Sequence, residues 1–186
     1  MNKKVFGICA ILLAVATLTI PVMASPPSKI EVTLVAGAYT HVPPDWELRG
    51  DVQHGRNGLM IWEDCVVTGD GILLEGGILT KTYNYDINVK GVEPTPTVKF
   101  RMGKGVLHYR VEIAFEDGTF EGNHMISGEF RVRNSDGFVR PWNSDGYAVY
   151  HGTGAYLGWT WVLRDVTTGG SGVFESYMLI PQSKLP

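Results

Sequence analysis

The sequence predicts an all-β chain, a single antiparallel barrel of about eight strands, on three observations. Apolar residues recur with a period of two along most of the chain. Beyond the N-terminus no stretch carries them at helical spacing over about ten positions, and Asp-Gly and Gly-Gly pairs punctuate the runs.

In VLHYRVEIAF, Leu107, Tyr109, Val111, Ile113 and Phe115 share one face while His108, Arg110 and Glu112 share the other, as in a strand buried on one side. Alternating or β-rich runs at 30–35, 59–68, 72–79, 82–89, 98–102, 119–126, 128–133, 147–151, 156–163 and 173–180 predict further strands. Gly69-Asp70-Gly71, Asp117-Gly118, Asp136-Gly137, Asp145-Gly146 and Gly169-Gly170 predict hairpin turns, because these residues tolerate the positive φ of reversed turns. So many strands must dispose of their edges. Closure into a barrel does so, with a two-sheet sandwich as the alternative.

Two longer connections are expected, at 40–56 and at 91–96, where Pro43, Pro44, Pro94 and Pro96 cannot donate to a ladder. The near-repeat NSDGF and NSDGY at 134–138 and 143–147 lacks the late Glu of a calcium loop and predicts two Asx turns.

The N-terminus reads MNKKVFGICAILLAVATLTIPVMASPP: Lys3 and Lys4, an apolar run, then small residues at Ala24 and Ser25. That is the pattern of a secretory signal peptide over residues 1–24, with a single domain over 25–186. A membrane anchor is the rival, but the run is short of a span and Pro21 interrupts it. Cys9 sits inside the run, which removes the lipoprotein reading. The expectation is a secreted or extracytoplasmic protein, prokaryotic in the style of its signal.

The formal charge of −3 for the whole chain becomes more negative once Lys3 and Lys4 leave, which argues against a nucleic-acid or anionic-membrane partner. After cleavage Cys65 is the lone cysteine, so no intrachain disulfide forms, and its place in LMIWEDCVVTG predicts a buried small hydrophobe.

YHGTGAYLGWTWVLRD raises the question of a phosphate loop, because Gly152, Gly154 and Gly158 are closely spaced. A dinucleotide loop opens a helix, whereas Trp159, Trp161 and Leu163 alternate as in a strand, and no Gly-Lys-Ser/Thr follows. The glycines therefore predict a bent entry to a late strand. DGTFEGNHMISGEF at 117–130, HGTGAYLG downstream and the ending GVFESYMLIP together resemble strands of allene oxide cyclase-like and dirigent-like barrels over about 105–181. The resemblance implies an eight-stranded antiparallel barrel whose lumen admits an apolar small molecule, often with oligomer formation.

Catalytic motifs are sparse. His41, His54, His108, His124 and His151 form no HExxH, no G-x-S-x-G elbow occurs, and Glu63-Asp64 and Glu116-Asp117 are ill placed for acid/base pairing, so no metal or cofactor is expected. Lys99 and Arg101, His108, Arg110 and Glu112, and Glu129, Arg131 and Arg133 predict charged strand faces. Their preferred reading is a solvated outer surface, and the alternative places them in the lumen. Aromatic residues supply the other candidate site. The candidate lumen set is Tyr109, Glu112, Tyr156, Trp159, Trp161 and Tyr177, while Trp46, Trp62 and Trp142 fall in or beside loops. The leading expectation is a barrel that binds a small apolar or amphipathic ligand or a protein partner. A cyclase-like isomerase using Tyr109, Glu112, Trp159 and Trp161 is the enzyme alternative, and an envelope protein that oligomerises through its outer sheet is the structural one.

Overall fold

A computed structural model describes residues 25–89 and 99–185. The signal-peptide expectation at 1–24 and the connection expected at 91–96 lie outside the described residues. Ten strands follow in order: β1 (Ser28–Val35), β2 (Tyr39–Val42), β3 (Asp45–Arg49), β4 (Val52–Gly69), β5 (Ile72–Asn88), β6 (Phe100–Phe115), β7 (Gly118–Arg133), β8 (Val139–Gly152), β9 (Thr160–Thr168) and β10 (Ser171–Ile180). All pairings are antiparallel, in the order β1-β10-β9-β8-β7-β6-β5-β4, and β4 returns to β1. This is the closed eight-stranded barrel expected, with β2 and β3 as two outer strands on the remaining edge of β4.

β1 closes the barrel by serving two neighbours. Residues 28–31 pair with β10 and residues 32–35 pair with β4. The outer half of β10, 171–176, therefore pairs with β9 alone, which leaves a split in the seam.

The strands are longer than their sequence runs. The runs at 72–79 and 82–89 belong to the single strand β5, and those at 119–126 and 128–133 to β7. The expected loop at 40–56 instead contains β2, β3 and the start of β4. Bulges do much of this work. Register shifts between Gly55 and Gly58 and between Trp62 and Cys65 each reverse which residues of β4 face inward, so strict alternation breaks while pairing continues. Cys65 is fully buried and free.

Four of the five expected turns are found at strand ends, but Asp145-Gly146 is not a turn: it lies inside β8, paired to Val166 and Asp165. Of the two expected Asx turns, Asp136 makes the first by accepting from the Phe138 amide at 3.1 Å. The second is a stretch of β8, where Asn143 donates to Glu129 and accepts from the Gly169 amide.

The two ends of the barrel are plugged differently. At one end Phe120 stacks on Tyr156 at 5.0 Å and meets Trp161 edge-on at 5.6 Å. Tyr156 sits in a 3-10 turn, Gly154–Tyr156, and β9 starts only at Thr160, so the strand expected from 156 begins later. Gly152 is required there, since a Cβ would stand 2.1 Å from the Tyr156 carbonyl oxygen, and Gly154 has φ of 58°. The bent entry expected of these glycines is thus a 3-10 turn that seals the barrel. At the other end Arg101, 1 % exposed, donates to Asn134 Oδ1 at 2.7 Å and to Gln53, and Gln53 donates to the Tyr85 hydroxyl at 2.8 Å.

Candidate functional site

Between the plugs the lumen is open. A cavity of about 380 Å³ has apolar walls that include Met60, Trp62, Ile126 and Leu163, and a rim that includes Tyr39, Phe138, Arg140 and Phe174. Its floor is polar: Lys81 from β5, Tyr109 from β6, His124 from β7 and Asp165 from β9. The rim is exposed, with Phe174 at 66 % and Tyr39 at 48 %, whereas on the floor His124, at 3 %, and Asp165, at 5 %, are buried and Lys81 is half-buried. Phe174 lies directly opposite Asp165 in the β9–β10 pair, on the half of β10 that β1 leaves uncovered. The split seam therefore stands beside the floor carboxylate.

Each floor residue occupies a position that alternation assigns to the core. Lys81 shares its face with Leu79, Tyr83 and Tyr85; His124 with Phe120 and Ile126; Asp165 with Trp161 and Leu163. A closed barrel turns all of these rows inward, so three polar groups converge from three strands.

The geometry joins them in a belt. Tyr109 lies opposite Tyr83 on one side and His124 on the other, with ring centroids 5.9 and 5.6 Å apart. The Tyr83 hydroxyl is 2.8 Å from His41 Nε2. His124 Nε2 lies 3.3 Å from Asp165 Oδ2, without hydrogen-bond alignment. Gly146 makes this approach possible. It lies on β8 between the two strands, and a Cβ there would stand 1.8 Å from Asp165 Oδ1 and 2.8 Å from His124 Nε2. The Asp-Gly pair that reads as a turn is a glycine that clears space for two side chains.

Both ring nitrogens of His124 and Oδ1 of Asp165 are buried without hydrogen-bond partners among the described residues. Buried polar groups without partners cost about 1–3 kcal/mol each. Lys81 has no carboxylate within ion-pair distance among the described residues; its Nζ lies 5.4 Å from the ring centroids of both Trp62 and Tyr109. Burial holds the Lys81 ammonium below the ordinary lysine range, and Asp165 offsets part of that. Burial likewise pushes the Tyr109 hydroxyl well above the ordinary tyrosine range, so it is a neutral donor and acceptor. Among the described residues no group of three His, Cys, Asp or Glu side chains could hold a metal, and no helix is long and apolar enough to cross a membrane.

Of the six sequence-expected lumen residues, Tyr109 alone lines this cavity. Tyr156, Trp159 and Trp161 belong to the aromatic plug, with the Trp161 indole donating to Ser176 Oγ at 2.7 Å. Glu112 and Tyr177 lie on the outer face, because the buried rows of their strands are Tyr109-Val111-Ile113 and Met178-Ile180; Lys29 covers Tyr177. The charged rows divide similarly. His108, Arg110, Glu129, Arg131 and Arg133 face out, with Arg131 stacked on Trp142 at 3.6 Å, but Arg101 faces in. Sequence reading missed Lys81, His124 and Asp165 as a set. The available signal was a polar residue interrupting each of three apolar alternate rows.

No family model, curated protein or solved structure matches this chain.

Proposed function

We propose that this barrel binds a small amphipathic molecule in its lumen, apolar body against Trp62, Met60, Ile126 and Leu163, polar head on the floor of Lys81, Tyr109, His124 and Asp165. The observation that carries the reading is a cavity of about 380 Å³ whose apolar walls end on a floor of Lys81, Tyr109, His124 and Asp165. Buried polar atoms on that floor that lack hydrogen-bond partners, on His124 and Asp165, lower the stability of the chain. Few convergent polar groups at the base of an apolar cavity are the usual make-up of a ligand site.

Charge narrows the ligand. The floor already brings together a lysine and an aspartate of opposite formal charge, so a fully charged head would bring an uncompensated charge into a partly desolvated cavity. A neutral hydroxyl or carbonyl head fits best. The split seam beside Phe174 is the entry path.

Trp62 reports on occupancy because it alone among the tryptophans lines the cavity. Octan-1-ol is expected to change the tryptophan fluorescence of the wild type saturably, and the change should vanish in Trp62→Phe while surviving in Trp161→Phe. No saturable change with folded wild type, or one that needs Trp161, would refute the proposal.

A further inference from the structure

We propose that Lys81 is a carbonyl-capturing nucleophile, whose amine condenses with the aldehyde or ketone head of an apolar ligand seated in the lumen. The inference rests on the ligand-binding reading above and specifies its chemistry.

Placement comes first. Lys81 projects inward from the middle of β5, between Met60 of β4 and Val111 of β6, whereas Lys29, Lys104 and Lys184 are exposed. Its amine lies between the rings of Trp62 and Tyr109 and lines the cavity, so an electrophile in the lumen meets it directly. The groups around it come from every wall: Cys65 of β4, Tyr109 of β6, His124 of β7 and Asp165 of β9. None of them holds the ammonium in a short ion pair.

Reactivity follows from that environment. Desolvation favours the free amine, and a lysine amine in an apolar site is the form that attacks carbonyls. A carboxylate ligand would instead meet Asp165, and an amine ligand would meet Lys81. A neutral electrophile carries no charge for either group to repel and reaches the Lys81 amine.

One further floor group matches the proton traffic of the reaction. The Lys81 nitrogen lone pair forms the N–C bond while the carbonyl π pair moves onto oxygen. One nitrogen proton passes to that oxygen, giving a neutral carbinolamine. Loss of water then requires a proton at the hydroxyl and yields the protonated imine. Tyr109 lines the same floor and its neutral hydroxyl both donates and accepts, so it can relay these protons. The balance is one amine, one carbonyl and one proton from solvent giving one protonated imine and one water, with no oxidant or reductant.

The test is reductive trapping of the full chain with octanal and cyanoborohydride at neutral pH, read by peptide mass spectrometry lysine by lysine. Octylation of Lys81 is expected to run at least about tenfold faster than that of Lys29, Lys104 or Lys184, whose solvated ammoniums stay protonated. Octan-1-ol, which fills the site but cannot condense, should suppress the Lys81 label and leave the surface labels unchanged. Lys81→Arg should abolish the fast label; if that variant misfolds by circular dichroism, the octan-1-ol protection of the wild type decides alone. Fluorescence binding of octan-1-ol with Lys81 labelled no faster than the surface lysines would overturn this inference and leave the binding site standing. Fast labelling that octan-1-ol fails to suppress would also overturn it. Absence of both binding and labelling would overturn the inference together with the proposed function.

Discussion

His124 and Asp165, on strands separated by β8, come within 3.3 Å of each other because the residue between them, Gly146, has no side chain. The contact ties β7 to β9 across a third strand and leaves three buried polar atoms without hydrogen-bond partners among the described residues.

Gly146→Ala tests that relationship. The new methyl would overlap Asp165 Oδ1, and overpacking a filled site costs about 1–3 kcal/mol, read as a lower urea midpoint. Adding Asp165→Ala removes the obstacle, so the double variant should be more stable than the two single losses summed. Simple additivity would mean that Gly146 is not there for Asp165.

Lys81 makes stability depend on alkaline pH. Its folded pKa is lowered by burial below the 10.5 of a free lysine, so between those values the unfolded chain holds a proton that the folded chain has released. Stability therefore rises with pH through that window, and below it the buried ammonium is a constant cost. Lys81→Met should flatten the rise, measured by urea unfolding across the alkaline range. An unchanged slope in the variant would show that Lys81 is solvated.

Asp165 supports the Lys81 ammonium, so its removal should make the amine available sooner. In Asp165→Asn the pH profile of Lys81 octylation is expected to move to lower pH, with the profiles of Lys29 and Lys104 unmoved. A shift upward, or none, would detach the carboxylate from the lysine.

Phe120 belongs to the closed end and not to the site. It is fully buried, stacked on Tyr156 and edge-on to Trp161, so Phe120→Ala should cost about 3–5 kcal/mol in chemical denaturation. The affinity of the remaining folded protein for octan-1-ol should change less than about threefold, or under 1 kcal/mol. A large loss of affinity would place the ligand at the aromatic end.

The barrel was legible in the sequence because closure needs only period-two rows and turn residues, and both are explicit in VLHYRVEIAF and in Gly69-Asp70-Gly71. The site was less legible for a physical reason. The inward-facing polar residues each look like interruptions: Lys81 falls in the gap between two expected strands, and Asp145-Gly146 carries the composition of a turn while serving as clearance inside β8. Aromatic content pointed to Trp159 and Trp161, which fill a plug, since ring size predicts burial equally well at a full end and at an open centre. Only closure, which sets three rows face to face, distinguishes the two.

The most direct measurement is calorimetric titration of octan-1-ol into the wild type and into Leu163→Trp, whose indole would occupy the cavity from the β9 wall. The wild type should bind one equivalent with a negative heat-capacity change, and Leu163→Trp, folded by circular dichroism, should bind none. Undiminished binding to Leu163→Trp, or no binding to the wild type, would contradict a lumen built to hold an amphipathic ligand.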